Sequence, residues 1–521
     1  MATSETNKME LTVRSPSSGE VLAKIATHSA EDVRRALGDS RRAQKEWAAL
    51  SFAERREALA RLRETLLDAK NEIVDLITKE NGKPRFEALT AEFMSVLDLI
   101  RYFEKVSEKT LRRRALALDT ELLPHRRSYV EWAPLGVVAI ISPWNFPWLL
   151  PFGEIVMALA AGNGVVLKPS EVTPLTGLKI QEICERAGLP KGLVAVVVGD
   201  GTVGAELIRA KPDKVFFTGS VATGKRVMTA AAEHLIPVNL ELGSKDAMIV
   251  LEDADLDLAS SAALWGANFN LGQACASIER LLVHESVSKE FTRLLVEKMK
   301  RLEHGRDIGA ITFEKQKATY EAHFGEARNA RVEILSGGEW TNERRSHQPT
   351  LVTGQSIESL KIYNEETFGP FVAMSTFTSD EEAIRKANAT PYGLTAAVFS
   401  RHLYRAEWIA SRLETGTIMI NEVVYTAGIA GTPWGGWKES GFGRTHHADG
   451  LYEFAQMRHV HTQRFSWFNM KSLWWYPYTP HQYKLFEAIV DRHRPGVFAK
   501  ARAWARVAME ALKMLKREPR I

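Results

Sequence analysis

The chain has 521 residues, 45% hydrophobic and 25% charged, enough to bury several cores and to divide into two or three domains. Cys184 and Cys275 are its only thiols, which excludes a disulfide framework and fits a reducing cytoplasm, and no apolar run reaches the ~18 residues needed to cross a bilayer. The net charge of +4 belongs to the tail: seven basic and two acidic residues from Val497 to Ile521 leave the rest at about −1, which does not suggest nucleic-acid binding.

The first residues, Met1-Ala2-Thr3-Ser4-Glu5, lack the pattern of a secretory signal. Residues 29 to 110 then read mainly as helices, with Ser51 and Glu54 forming a capping box and Leu59, Leu62 and Leu66 recurring at helical spacing. Strand-helix alternation follows. Val137–Ile141, Gly164–Leu167, Val194–Val198 and Lys214–Phe217 are short β-prone runs separated by helical stretches, the pattern of a parallel α/β sheet. A second series after Glu241 includes Met248–Leu251 and Leu281–Val283, so two α/β domains are expected. Beyond Arg464 come Phe465, Trp467, Phe468, Trp474, Trp475, Tyr476 and Tyr478, then a helix after Pro495-Gly496. On that helix Val497, Ala501, Trp504, Ala508, Leu512 and Leu515 share one face, and Arg502, Arg506, Lys513 and Arg517 lie opposite.

Chemistry concentrates in a few short segments. Gly219-Ser220-Val221-Ala222-Thr223-Gly224 is a GxxxxG turn entering a helix, where glycine admits close backbone approach and a helix N-terminus favours a pyrophosphate. Read alone, it is an ordinary strand-to-helix turn. Glu241-Leu242-Gly243-Ser244-Lys245 precedes Phe269-Asn270-Leu271-Gly272-Gln273-Ala274-Cys275, pairing a carboxylate with a thiol nucleophile. Alone, Glu241 reads as a solvated strand-end charge and Asn145 as a turn residue. Cys184, inside the helical stretch Gln181 to Arg186, reads as a small buried hydrophobe. His446-His447 and the alternating His459 and His461 lack a companion acidic or thiol cluster, so no metal site is expected.

The segments Glu241–Lys245 and Phe269–Cys275, taken with Pro143-Trp144-Asn145-Phe146-Pro147, Lys168-Pro169-Ser170-Glu171 and Glu366-Thr367-Phe368-Gly369-Pro370, resemble the aldehyde dehydrogenase superfamily from roughly Leu11 to His461. The resemblance implies an α/β fold with a Rossmann-like dinucleotide-binding domain (1–122 and 137–241) and an α/β catalytic domain (242–445). It further implies a small β oligomerisation element (123–136 and 455–463) serving a homodimer or homotetramer, which leaves 464–521 as a C-terminal helical extension. It makes Cys275 the nucleophile that adds to an aldehyde, with the Asn145 amide and the Cys275 N–H as oxyanion donors. The resulting thiohemiacetal loses hydride to the cofactor and leaves a thioester, and Glu241 is the general base for its hydrolysis. Around the cofactor the resemblance places Trp144, Lys168, Glu171, Gly219, Ser220, Glu366 and Phe368. Glu171 can accept bonds from ribose hydroxyls and repels a 2′-phosphate, which favours NAD; NADP is the alternative, because Lys168 can compensate.

Two places depart from the family pattern. Ser244 stands where a second glycine is usual, which suggests crowding near the nicotinamide and slower hydride transfer. Arg301 to Gly309 forms a shortened loop, which puts its local geometry in doubt. The resemblance assigns Phe146, Leu149, Leu150, Gly153, Phe269 and Trp434 to the substrate tunnel. These are apolar or small, favouring an aliphatic or aromatic aldehyde over an acidic semialdehyde unless Lys245 or Arg280 points inward. Acyl transfer to coenzyme A is disfavoured by Glu241. The remaining alternative is a catalytically impaired binding or scaffold protein, for which Ser244 is the hint. The basic amphipathic tail helix implies peripheral membrane contact through 497–521, or packing of its apolar face on protein.

Overall fold

The structure, a computed structural model, describes residues 10–118, 125–330, 332–465, 467, 472 and 474–517. Expectations for Met1–Glu5, Phe468, Glu518 and Arg520, for the side chains of Leu515, Lys516 and Arg517, and for the 122/123 boundary lie outside these residues.

Five β-branched or aliphatic runs form the first sheet: β1 (Val137–Ile141), β2 (Gly164–Lys168), β3 (Val194–Val196), β4 (Lys214–Thr218) and β5 (Val238–Glu241). β1 and β2 are buried along their whole length, as parallel strands covered on both faces must be. The second sheet comprises β6 (Asp246–Val250), β7 (Ile278–His284), β8 (Glu333–Ser336), β9 (Thr350–Thr353), β10 (Phe371–Phe377), β11 (Thr395–Phe399) and β12 (Thr417–Ile420). A short β13 (Gly441–Phe442), from within the stretch assigned to the second domain, returns to the first sheet and pairs antiparallel with β5 through Gly441↔Glu241. The sheet orders are β13-β5-β4-β1-β2-β3 and β8-β9-β10-β7-β6-β11-β12.

These orders position the site. The chain lays β2 and β3 on one side of β1 and then crosses to lay β4 and β5 on the other, so β1 and β4 flank a topological switch point. Ligands of open α/β sheets bind in the crevice beyond the carboxyl ends of such strands. In the second sheet Ser244, Cys275 and Glu366 instead precede β6, β7 and β10, at the amino ends of their strands.

The amino-terminal region is helical: Ala30–Ala49, Phe52–Asp68, Lys70–Asn81 and Ser95–Leu111, with a π-helical segment at Ala88–Met94. The Ser51 hydroxyl accepts the Glu54 N–H at 3.3 Å and Glu54 accepts the Ser51 N–H at 2.7 Å, closing the capping box. Leu59, Leu62 and Leu66 are buried. The Arg301–Gly309 loop folds into a compact turn, with the Gly305 N–H donating to the Ile308 carbonyl at 2.8 Å.

The chain divides into two compact units, 1–113 with 131–458 and 114–130 with 459–521. In the smaller unit Ala115 pairs with Tyr129, and Ser128 Oγ lies 2.8 Å from His461 Nδ1. Its helices Pro480–Asp491 and Val497–Arg517 form a hairpin. The sequence carried a signal for the first of these in Thr479-Pro480 and Gln482, which form a capping box with proline in the first turn. Val507 packs on Leu485, Ala488 and Ile489, and Arg506 pairs with Asp491 at 2.5 Å. The face expected to pack is not the one used. Ala503, Val507 and Glu510 are buried, whereas Val497, Ala501, Trp504, Ala508 and Leu512 are exposed. The apolar stripe is wider than one partner helix can cover. Among the described residues no helix is long and apolar enough to cross a membrane.

Candidate active site

The carboxyl ends of the first sheet carry most of the cofactor candidates. After β2, Lys168 Nζ pairs with Glu171 at 3.2 Å; the lysine is buried and the glutamate half open. After β4, Gly219 leads into Ser220, whose hydroxyl caps the helix Val221–Ala232 by accepting the Thr223 N–H at 3.3 Å. That helix has no acidic residue in its first turn, so its positive end is unopposed. The Gly219 N–H donates to the Glu241 carbonyl at 3.0 Å, tying the turn to the strand end that bears the carboxylate.

After β1 come Trp144 and Asn145. Asn81 Nδ2 donates to the Trp144 carbonyl at 2.8 Å, and the Trp144 ring lies 5.4 Å from that of Phe368, edge to face. Phe368 has φ +55°, a strained value for an aromatic residue, and Tyr320 Oη donates to its carbonyl at 2.8 Å. Glu366 accepts the Ser244 N–H at 2.9 Å. Burial, then the nearby Glu279 charge, pushes the Glu366 carboxyl up to about 8. A capped helix N-terminus, a lysine-glutamate pair and a half-buried carboxyl with spare acceptor capacity fit a dinucleotide.

A cavity of about 640 Å³ opens beside this edge. Phe146, Leu149, Leu150, Gly153, Phe269 and Trp434 all line it, together with Cys275 and Glu241. The Phe146 and Phe269 rings stack at 5.6 Å. Asn145 is buried next to this wall but is not part of the lining, and its side-chain Oδ1 has no hydrogen-bond partner in the protein. Its backbone carbonyl accepts from Asn270 Nδ2 at 2.9 Å, which joins the β1 loop to the loop carrying Cys275. Lys245 and Arg280 do not reach the cavity. Lys245 pairs with Glu279, and Arg280 donates to the Lys245, Lys386 and Ala387 carbonyls. The cationic lining residues Arg101 and Lys105 are exposed, along the helix Ser95–Leu111 with Asp98.

Electrostatics sets the resting state of the cavity. Neither oxygen of Glu241 has a hydrogen-bond partner, and burial lifts its carboxyl to about 8, with Arg444 pulling it back. Burial raises the Cys275 thiol, and the charges of Glu241, Asp246 and Glu366 raise it further. Cys184 is buried far from such chemistry, its thiol pushed up to about 12 by desolvation. Ser244 turns its hydroxyl to Asp246 at 2.5 Å, so the added side chain is taken up by β6.

Glu154 and His446 are cavity residues for which no sequence motif speaks. Glu154 lies in the otherwise apolar, buried helix Leu149–Ala161; burial, then Glu241, holds its carboxyl well above the usual range. A lone acid in such a helix is the signal that could have found it. His446 was weighed only as a metal ligand. It lines the cavity at φ +59°, burial lowers it to about 4, and its Nε2 has no partner.

Comparison with known proteins accounts for this arrangement. A family model described as the aldehyde dehydrogenase family matches residues 2–460. The chain is 40% identical to a 4,4′-diapolycopene aldehyde oxidase of Methylomonas sp., over 92% of this chain and 90% of that one. It is 36% identical to a chloroplastic betaine aldehyde dehydrogenase of Beta vulgaris, over 87% and 93%. Among solved structures, betaine aldehyde dehydrogenase from Staphylococcus aureus in complex with NAD+ is similar at TM-score 0.83 and 31% identity, covering 90% of this chain and 95% of that one. A thiol and an unpaired carboxyl facing one cavity are thus carried by a chain that belongs to the aldehyde dehydrogenase family.

Proposed function

We propose that this enzyme oxidises an apolar aldehyde, aliphatic or aromatic, to the carboxylic acid with NAD. The observation that carries the reading is one cavity in which Cys275 and Glu241 meet a wall of aliphatic and aromatic side chains, with Arg101 and Lys105 on its exposed part. Cys275 adds through sulfur to the carbonyl carbon, and its proton passes to Glu241. The Asn145 amide and the Cys275 N–H donate to the oxyanion of the thiohemiacetal. Lys168 and Glu171 hold the adenosine ribose, Gly219 and Ser220 admit the pyrophosphate, and Glu366, Phe368 and Trp144 hold the nicotinamide end. NAD, when bound, supplies the hydride acceptor. Glu241 releases the thiol proton to solvent and then takes a proton from the water that attacks the Cys275 thioester, whose collapse frees the acid and returns the thiolate. The 4,4′-diapolycopene aldehyde oxidase relative supports a long apolar substrate.

An absorbance assay of NADH formation over aldehydes of increasing chain length tests this reading. Longer apolar aldehydes are expected to give the higher kcat/KM, and NAD a higher kcat/KM than NADP. Glu171→Gln narrows the cofactor gap by removing the charge that repels the 2′-phosphate. A preference for acidic semialdehydes would overturn the substrate class, and no turnover with any aldehyde would favour the scaffold alternative.

The finer reading of partners is a homodimer or homotetramer joined through 123–136 and 455–463, cytoplasmic and peripheral on an anionic membrane. Exposed Trp467, Trp475, Tyr476, Tyr478 and Phe498, with the Trp504–Leu512 stripe and Arg494, Lys500 and Arg502, favour a lipid surface. The protein is expected to sediment with anionic liposomes at low salt and to detach as salt rises. Trp504→Ser with Leu512→Ser weakens binding at unchanged Tm, because Ala503 and Val507 make the packed face. Absence of sedimentation at low salt would end the membrane reading.

A further inference from the structure

A dense cluster of buried charge lies behind the cavity wall, against the segment Trp144–Leu149. Lys83 and Glu92 have fully buried side chains, paired at 2.5 Å. Lys83 Nζ also donates to the Asn145 carbonyl at 2.9 Å and sits 4.0 Å from the Phe146 ring centroid. The second Glu92 oxygen accepts the Trp148 and Leu149 N–H groups at 2.8 and 3.0 Å. Glu92 belongs to the π-helical segment Ala88–Met94, an irregularity that often marks functional sites, and Glu87 immediately precedes it.

The same cluster reaches the nucleophile loop. Both oxygens of Glu87 accept the Asn270 N–H at 3.2 Å, and Asn270 Nδ2 donates to the Asn145 carbonyl at 2.9 Å. Asn270 and Leu271 have φ of +52° and +57°, a left-handed bend that leucine disfavours. The surrounding hydrogen bonds therefore hold the bend, and local preference does not. One carbonyl, that of Asn145, thus receives donors from both Lys83 and the Cys275 loop.

We propose that Lys83, Glu92, Glu87 and Asn270 are positioning residues that fix the Asn145 amide relative to Cys275, so that the buried ion pair serves the transition state more than the fold. A buried ion pair roughly breaks even in stability against a well-packed apolar pair, so stability alone does not account for it. Its backbone partners all lie in the one segment that carries Asn145 and Phe146. Misplacing a reacting group by ~1 Å costs about 10²-fold in rate. The inference rests on reading Asn145 as an oxyanion donor.

The test combines steady-state kinetics with melting curves for Lys83→Met/Glu92→Leu, Asn145→Ala and the combination of the two. The ion-pair double variant is expected to keep a Tm near the parent while kcat falls about 10²-fold and KM for NAD is unchanged. Asn145→Ala loses ~10² to ~10³ in kcat, and the combination loses little more, because both changes act through one amide. A parent-like kcat in the ion-pair variant, or losses that multiply, overturns the positioning role alone. A parent-like kcat in Asn145→Ala removes the oxyanion reading, and the inference with it. Should the ion-pair variant not fold, Glu87→Gln decides. It loosens the Asn270 contact and removes a charge near Lys83 while leaving the Lys83–Glu92 pair in place, so a lower kcat at unchanged Tm supports the inference and an unchanged kcat overturns it.

Discussion

Cys275→Ala is expected to abolish dehydrogenase turnover while NAD binding, followed by fluorescence quenching or calorimetry, stays within a few-fold of the parent. In the proposed mechanism the sulfur makes the covalent bond to the carbonyl carbon, and no neighbouring group replaces it. The other thiol, Cys184, is buried and pushed up to about 12, which keeps it protonated and out of reach. The proposed cofactor residues lie on the β1, β2 and β4 loops, which the substitution leaves intact. Residual turnover above roughly a thousandth of the parent rate would sink the covalent mechanism, since removing a nucleophile costs on the order of 10⁶ in rate. Cys184→Ala serves as the matched control and is expected to retain activity.

Glu241→Gln is expected to slow steady-state turnover by ~10² to ~10⁴, the range for loss of a positioned general base. The loss falls on thioester hydrolysis, so rapid mixing shows a burst of NADH followed by slow turnover. The pH dependence has a definite sign. Burial raises the Glu241 carboxyl to about 8, and a base works only in its deprotonated form, so the parent rate rises as pH passes upward through about 8. The glutamine variant loses that rise. An unchanged rate for Glu241→Gln across this range would end its role as the base.

Much of the fold and part of the site are legible in the residues themselves. Gly164–Lys168 and Lys214–Thr218 are strands because β-branched and aromatic side chains pack well on a pleated, covered surface. The GxxxxG turn is a strand-to-helix junction because Ser220 can cap the helix that follows. Phe146, Leu149, Leu150, Gly153, Phe269 and Trp434 line one cavity with Cys275. Asn145 is not among those lining residues, although Phe146 next to it is, and its carbonyl connects it to Asn270 in the Cys275 loop.

By itself the sequence determined which chemical groups exist and the periodicity of the elements that carry them: one thiol in a loop, one carboxylate at a strand end, apolar runs that must be covered. These follow from local sterics and from the cost of leaving apolar surface in water. Which groups meet was decided only by the tertiary structure. Glu154 and Glu241 are 87 residues apart in the chain, yet the Glu241 charge raises the Glu154 carboxyl because both side chains line one cavity. Lys83 finds Glu92 and the Asn145 carbonyl only when three segments close over it. In the tail, the helix pattern shows an apolar side but not which part a partner covers, and the hairpin chose Ala503 and Val507 over the Trp504 stripe. Burial and long-range Coulomb coupling depend on distances through space, and no local property of the chain contains them.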